Sequence, residues 1–104
     1  MLTGKQIKYL KKLAHPLKPV FQIGKSGLQD QLYHELSAVL DKRELIKVSL
    51  LQNTFEDVRE AGTLCAKKTT SELVQVIGHT FVLYRESEKH RRIELPERRG
   101  RKQG

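Results

Sequence analysis

The stretch PVFQIGKSGLQD, residues 19–30, joins a short apolar run to a helical segment through two glycines. The run from Val20 to Ile23 is β-branched at both ends, which predicts a strand. Leucines then recur at helical spacing from Leu28 to Leu40, which predicts a helix. The loop from Gly24 to Gly27 is therefore either a simple strand-to-helix turn or a cradle for a phosphate. A helix start suits an anion because its N–H groups lack partners and it carries a partial positive charge.

The remaining sequence completes the element order α-β-α-β-α-β-β. Three helices are predicted: Thr3–Leu13, Leu28–Leu40 and a third that opens at Thr54 and ends near Thr70. Four strands are predicted: Val20–Ile23, Glu44–Leu51, Leu73–Ile77 and Thr80–Tyr84. Gly78 and His79 are expected to form a type II′ hairpin turn. This alternation with a closing hairpin predicts an α/β fold in which helices pack on a mixed four-stranded sheet.

Details of the helices follow from residue type. Thr3 is expected to cap the first helix, and Thr54 with Asp57 forms a capping-box-like pair for the third. The apolar face of the first helix is assigned to Ile7, Leu10, Leu13 and Ala14, and another face carries Lys5, Lys8 and Lys12.

The chain is strongly basic, with 20 Lys and Arg against 12 Asp and Glu and a net charge of +8. A charge of this sign points to nucleic acid or an anionic membrane as partner. The longest uninterrupted apolar run is four residues, 81–84, whereas a membrane-spanning helix needs about 20. The N-terminus also lacks the apolar stretch of a signal peptide, so we expect a soluble cytoplasmic protein.

The positive charge is concentrated in two places. Residues 1–27 contain six lysines and no acid, and the first carboxylate is Asp30. Residues 85–104 carry eight basic and four acidic side chains. These clusters favour a nucleic-acid surface over the alternative of a solvated helix face. The residues assigned to it are Lys5, Lys8, Lys12, Lys18, Gly24, Lys25, Ser26, Gly27, Arg91 and Arg92.

Catalytic and metal chemistry find little support in the sequence. The GKS triplet at 24–26 is not a nucleotide-binding P-loop, because that motif needs a glycine where Pro19 stands. Cys65 is the only cysteine and is expected to be a buried structural thiol. The four histidines show no ligand spacing, although His79 at the hairpin could touch RNA and Tyr33 and Tyr84 could stack on bases. We therefore predict no enzymatic activity, no cofactor and no metal.

Three segments together resemble one known family: LKKLAHPLKPVFQIGKSGL, ELIKVSL and VQVIGHTFVLYR. They are similar to the CRM domain, an RNA-splicing and ribosome-maturation module, and the whole chain resembles its single-domain bacterial YhbY-like form. The resemblance implies a fold similar to the C-terminal domain of translation initiation factor three. It implies RNA binding through Gly24, Lys25, Ser26 and Gly27, and association with ribosomal RNA or precursors of the large ribosomal subunit.

These observations predict a CRM-like RNA-binding domain over residues 1–85 and a basic, largely flexible tail over 86–104, where only Ile93 and Leu95 could be buried. The expected function is binding of ribosomal RNA or its precursor to assist assembly of the large subunit. The expected protein is a monomer with no membrane partner and no small-molecule substrate. The alternative is a basic adaptor that docks on a protein or membrane partner.

Overall fold

A computed structural model describes residues 2–24, 28–51 and 57–96 of the chain. The elements are α1 (Gly4–Ala14), β1 (Phe21–Ile23), α2 (Asp30–Arg43), β2 (Leu45–Leu50), α3 (Val58–Thr69), β3 (Glu72–Ile77) and β4 (Thr80–Tyr84). The predicted element order and α/β class are thereby confirmed. Within these three ranges, no helix combines the length and the apolar character needed to cross a membrane.

The four strands form one mixed sheet in the order β1-β2-β4-β3. β1 runs parallel to β2, with Ile23 opposite Leu50, and α2 supplies the crossover that a parallel pair requires. β4 is antiparallel to both of its neighbours. Gly78, with a φ of +57°, occupies the turn between β3 and β4, and His79 has a negative φ, as a type II′ hairpin demands.

The two faces of the sheet are covered unequally. α2 and α3 bury the first face, where the core includes Leu36, Leu40, Val48, Cys65, Phe81 and Leu83. A Cβ added at Gly62 on α3 would lie 2.8 Å from Leu73 Cδ1 and 3.1 Å from Phe81 Cγ, so this glycine allows the helix to approach the sheet closely. α1 packs on the second face, over Leu45, Val74, Val82 and Tyr84.

Capping side chains determine where α1 and α3 begin. Thr3 caps α1 as predicted: its Oγ1 accepts from the Gln6 N–H at 3.1 Å, and Gln6 Oε1 accepts from the Thr3 N–H at 3.0 Å. The capping pair predicted for α3 is wrong. Asp57 is itself the cap, because its carboxylate accepts from the N–H groups of Arg59 and Glu60, and Thr54 lies outside the described residues. Asp competes well for this position because its short carboxylate reaches these donors directly.

Several element ends and faces also differ from the prediction. α2 begins at Asp30 rather than Leu28 and extends to Arg43, three residues past Leu40. Its C-cap is Glu44, whose φ is +68°. Leu13 is 37% exposed, so it does not belong to the buried face of α1, whereas Leu10, Ala14 and partly buried Ile7 do, as predicted. Gln6 joins them on that face. Val20 lies outside β1, although its N–H donates to Lys47 O at 2.9 Å.

The segment after β4 packs on the body over residues 87–96, and the two residues that the sequence allowed to be buried there, Ile93 and Leu95, do contact the core beneath α1. Ser87 is buried, and Leu95 joins the core beneath α1. Glu44, fully buried, accepts backbone hydrogen bonds from Ser87, Arg92 and Ile93. Gln6 Nε2 donates to Pro96 O at 3.0 Å. The sequence did not predict these polar contacts, because a count of apolar residues does not reveal a buried carboxylate as the partner of this segment. Residues 97–104 lie outside the described part.

Candidate nucleic-acid interface

α1 leaves part of its sheet face open, and a groove forms between the helix and the strands. α1 has only 11 residues, and its buried side chains contact the half of the sheet that holds Leu45 and Tyr84. The other half of this face, near the β3–β4 hairpin, remains accessible. The resulting groove has a volume of about 750 Å³. Its lining residues are Lys5, Lys8, Tyr9, Lys11, Lys12, His15, Lys47, Gln75, Ile77, Thr80, Val82 and Pro96.

Four lysines of α1 line the groove: Lys5, Lys8, Lys11 and Lys12. Leu10 and Ala14, four residues apart, fix the buried side of the helix. With 3.6 residues per turn, Lys5, Lys8 and Lys12 share the side of α1 that faces away from Leu10 and Ala14. The sequence therefore predicted correctly that Lys5, Lys8 and Lys12 share a face, and the structure adds Lys11 to the same groove.

Lys47 contributes a fifth ammonium group from the sheet. Residues of β2 alternate between the two faces, so Ile46 and Val48 enter the core beneath α2 and α3, and Lys47 points toward α1. Its Nζ donates to the backbone oxygen of His15 at 3.3 Å. His15 caps the C-terminus of α1, where the helix dipole is negative, so this contact is electrostatically favourable.

The groove is therefore strongly cationic. Five lysines line it, and the described lining contains no Asp or Glu. Clustered charges of one sign in a concave surface raise the local concentration of ligands with the opposite sign. The arrangement suits a polyanion better than a single anion, because the ammonium groups extend along α1 and onto the sheet.

Gly24 lies at the hairpin end of the sheet. Ile23 O accepts from the Leu51 N–H at 3.0 Å, and the Leu50 N–H donates to His79 O at 2.7 Å. The start of the Gly24–Gly27 loop and exposed His79 therefore flank the ends of adjacent strands. Ile77 and Thr80, on either side of the hairpin turn, belong to the groove lining. Lys25, Ser26 and Gly27 lie outside the described residues.

Gly24 has no evident structural requirement for glycine. Its φ is not in the left-handed region, and a Cβ there would meet only Leu51 Cδ1, at 3.5 Å, among the described atoms. That distance is an ordinary van der Waals contact. A plain turn would therefore accept alanine at this position.

The other predicted site residues are not brought to the groove. Lys18 is exposed but does not line it. Arg91 pairs with Glu86 at 3.3 Å, and the Arg92 N–H donates to Glu44 Oε1 at 2.7 Å. Glu44 directly precedes β2, whereas Gly24 neighbours the end of β2, so these arginines lie at the opposite end of the sheet.

The aromatic assignment also changes. Tyr84 is 4% exposed within the core beneath α1, and Tyr33 packs against the α2–α3 side with Lys68 Nζ 5.7 Å from its ring centroid. Neither lines the groove. Tyr9 does, and sequence reasoning missed it although it stands four residues after Lys5 and three before Lys12. Helical spacing alone was sufficient to place it on the lysine face.

The described residues offer no metal site, since no group of three His, Cys, Asp or Glu is suitably arranged among them. Cys65 is fully buried, as predicted. The chemistry that the groove does present is a set of ammonium groups around an apolar floor.

Comparison with known proteins identifies the family to which this chain belongs. The model of the CRS1/YhbY (CRM) domain matches residues 2–85, and the chain belongs to that family. The probable RNA-binding protein YqeI of Bacillus subtilis is 49% identical over 96 residues, which cover 92% of this chain and all of YqeI. An RNA-binding protein of Haemophilus influenzae is 39% identical, over 91% of this chain and 95% of its own length.

A solved structure supports the same assignment. The solution structure of the hypothetical protein SAV1595 from Staphylococcus aureus superposes with a TM-score of 0.78. Its sequence is 51% identical, and the match covers 92% of this chain and all of that one. The family resemblance predicted from the three sequence segments is therefore confirmed, and so is the fold.

Proposed function

We propose that this chain is an RNA-binding protein that holds the sugar–phosphate backbone in the groove beside α1 and at the Gly24–Gly27 loop. The observation that carries the proposal is the cationic groove, with five lysines and no carboxylate in its described lining. Ammonium groups bind phosphates as point charges and displace counterions from the nucleic acid. The relatives named as RNA-binding proteins support RNA as the polyanion.

The loop assignment has support of its own. Glycine at position 24 is not needed for backbone conformation or for packing against the described residues. A glycine without a structural reason is expected where a ligand must approach the backbone closely. Lys25 would add a charge at the start of α2, where the helix dipole already favours a phosphate. Ser26 would add a hydroxyl donor.

The target we propose is ribosomal RNA or its precursor, with a role in assembly of the large ribosomal subunit. This finer assignment is supported by the family resemblance, since CRM domains act in RNA splicing and ribosome maturation. We propose that the protein acts as a cytoplasmic monomer and that it binds without catalysis. Lys18, Arg91 and Arg92 would contact more distant phosphates of a long RNA, because they lie outside the groove.

Ultraviolet crosslinking in cells, followed by sequencing of the bound RNA, tests this proposal. The parent is compared with a Lys8→Gln/Lys12→Gln variant and with a matched Lys42→Gln/Lys67→Gln control. Both variants lose two exposed lysines, including at least one from the last turn of a helix, but Lys42 and Lys67 lie on α2 and α3. We expect large-subunit precursor sequences to be enriched with the parent and the control, and depleted with the groove variant. Enrichment of unrelated RNA would overturn the ribosomal target, and equal enrichment in both variants would overturn the groove.

A further inference from the structure

The floor of the groove is apolar, and simple phosphate binding does not explain it. Ile77 is 61% exposed, the highest value among the large hydrophobic side chains of the described residues. Partly buried Tyr9 and Pro96, and Val82 with 3% of its surface exposed, also line the groove. One exposed apolar residue on its own needs no explanation, but Ile77 stands in a concave site lined by further apolar side chains, which indicates a ligand with an apolar surface.

The charged and apolar parts of the groove have a definite arrangement. The lysines stand on α1 and at Lys47, whereas Ile77 and Val82 belong to the neighbouring strands β3 and β4. Ile77 pairs with Thr80, and these two residues flank the hairpin turn. Val82 lies two residues after Thr80, so its side chain is on the same face of the sheet, toward α1. A polyanion bound here therefore meets the lysines of α1 along one side and exposed Ile77 on the other.

Base-paired and single-stranded RNA differ in what they offer such a site. A duplex presents phosphates and hydroxyls and keeps its base faces stacked inside. A single strand offers phosphates and unstacked bases together, and base faces pack on aromatic and apolar side chains. The volume of about 750 Å³ is within the range of about 300–1,000 Å³ typical of small-molecule sites, so the groove has room for individual bases.

We propose that the groove accommodates unstacked bases of single-stranded RNA on the floor formed by Tyr9, Ile77, Val82 and Pro96, while the surrounding lysines hold the adjacent phosphates. This inference rests on the proposed RNA-binding function and specifies the form of RNA that the groove selects. Because stacking uses the faces of the bases, it gives a preference for single strands and little preference for sequence.

The direct test compares three ligands of equal length at fixed salt: an unstructured RNA, an abasic ribose-phosphate oligomer and an RNA duplex. We expect the full-length protein to bind the unstructured RNA at least fivefold more tightly than the abasic oligomer, the lower end of what one stacked base contributes. It should also prefer the unstructured RNA to the duplex. Equal affinity for RNA and abasic oligomer would overturn the base-binding groove and leave the RNA-binding function intact. Failure to bind any of the three would overturn both.

Two substitutions locate the bases. Ile77→Ser should lower affinity for unstructured RNA about fivefold through lost apolar contact, without changing affinity for the abasic oligomer. Leu13→Ser is the matched control, because Leu13 is an exposed leucine of α1 that does not line the groove. Tyr9→Leu should act like Ile77→Ser, and Tyr9→Phe should restore binding because it retains the ring.

Each variant is checked by thermal melting, since Tyr9 also packs against the core beneath α1. Ile77 is exposed enough that its substitution tests the groove even if Tyr9→Leu unfolds the protein. If Ile77→Ser and Leu13→Ser leave the preference for RNA over the abasic oligomer equally intact, the bases lie elsewhere and the proposal is wrong.

Discussion

Glu44 Oε2 accepts a hydrogen bond from the backbone N–H of Ser87 at 2.8 Å, across 43 residues of sequence. The other carboxylate oxygen accepts from Arg92 at 2.7 Å and from Ile93 at 2.8 Å. A single buried side chain at the end of α2 thus anchors three points of the segment that follows β4. In the same segment, Leu95 is buried in the core beneath α1, and Pro96 O accepts a hydrogen bond from Gln6 Nε2.

The first prediction concerns the acceptor atoms of Glu44. Glu44→Gln preserves size but places an NH₂ group where one oxygen accepts, so a donor faces a donor. Because hydrogen bonds to charged groups contribute about 1.5–3 kcal/mol, we expect the free energy of unfolding to fall by about 2 kcal/mol. Urea denaturation monitored by circular dichroism measures this. A change below about 0.5 kcal/mol would show that the carboxylate does not anchor the segment.

The second prediction concerns the backbone of the same residue. Glu44 adopts a φ of +68°, a conformation that costs a residue with a side chain about 1–2 kcal/mol. Glu44→Gly relieves that cost and Glu44→Ala does not, although both remove the carboxylate. We expect Glu44→Gly to be the more stable of the two by about 1 kcal/mol in urea denaturation. The reverse order would be expected in an ordinary helical position, so it would contradict the assigned backbone role.

The third prediction compares two truncations. Ending the chain at Glu86 removes the burial of Leu95, worth about 1.5–3 kcal/mol, and leaves the Glu44 carboxylate without the partners it has in this segment. With roughly 4 °C lost per kcal/mol in a domain of this size, we expect the melting temperature to fall by more than about 10 °C. Ending at Pro96 keeps every contact described here and serves as the control. Similar melting temperatures for both truncations would mean that residues 87–96 add no stability.

The fourth prediction is the salt dependence of RNA binding. If five lysines contact five phosphates, log affinity for a single strand should fall with log salt at a slope near −3.5. Lys8→Gln/Lys12→Gln should reduce the size of the slope by about 1.4, since each lost contact removes about 0.7. Filter binding at four salt concentrations provides the slopes. The Lys42→Gln/Lys67→Gln control should retain the parent slope, and an identical reduction there would indicate diffuse attraction by net charge.

The fifth prediction separates the loop from the groove. Lys25→Asp/Ser26→Asp should weaken RNA binding more than tenfold, because two carboxylates would repel a phosphate at close range. Stability should change little, since acidic residues near a helix start are favoured by the dipole. RNA affinity and thermal melting are measured together at fixed salt. Unchanged affinity in a folded variant would reduce the loop to a simple turn and leave the lysines of α1 as the main site.

The sequence predicted the sheet and its helices well because each element carries a local signal. Alternation along β2 and leucine spacing along α2 are direct consequences of burial on one side. Gly78 also indicated the hairpin from local sequence, because the turn type demands a positive φ at that position. The α1 lysines were also predictable, because Leu10 and Ala14 fix which side of the helix is buried.

The parts that were missed depend on contacts between distant residues. The sequence predicted Glu44 to be the polar first residue of a strand. Nothing nearby in sequence indicates that its carboxylate accepts hydrogen bonds from Ser87 and Ile93. The sequence also could not show that α1 would border Lys47, whose Nζ donates to His15 O. Ile77 looked like any apolar strand residue, because its exposure depends on how far α1 extends over the sheet.

The hydrogen bond between Gln6 Nε2 and Pro96 O spans 90 residues of sequence. It joins the first turn of α1 to the last described residue. During synthesis, α1 emerges before β1 but cannot acquire this partner, or Leu95 beneath it, until the residues up to Pro96 have been made. Contacts of such long sequence separation form late because closing the intervening chain is entropically costly. The lysines of α1 therefore exist long before the surface they share with Pro96, and a nascent chain is unable to present the complete groove until its C-terminal segment has docked.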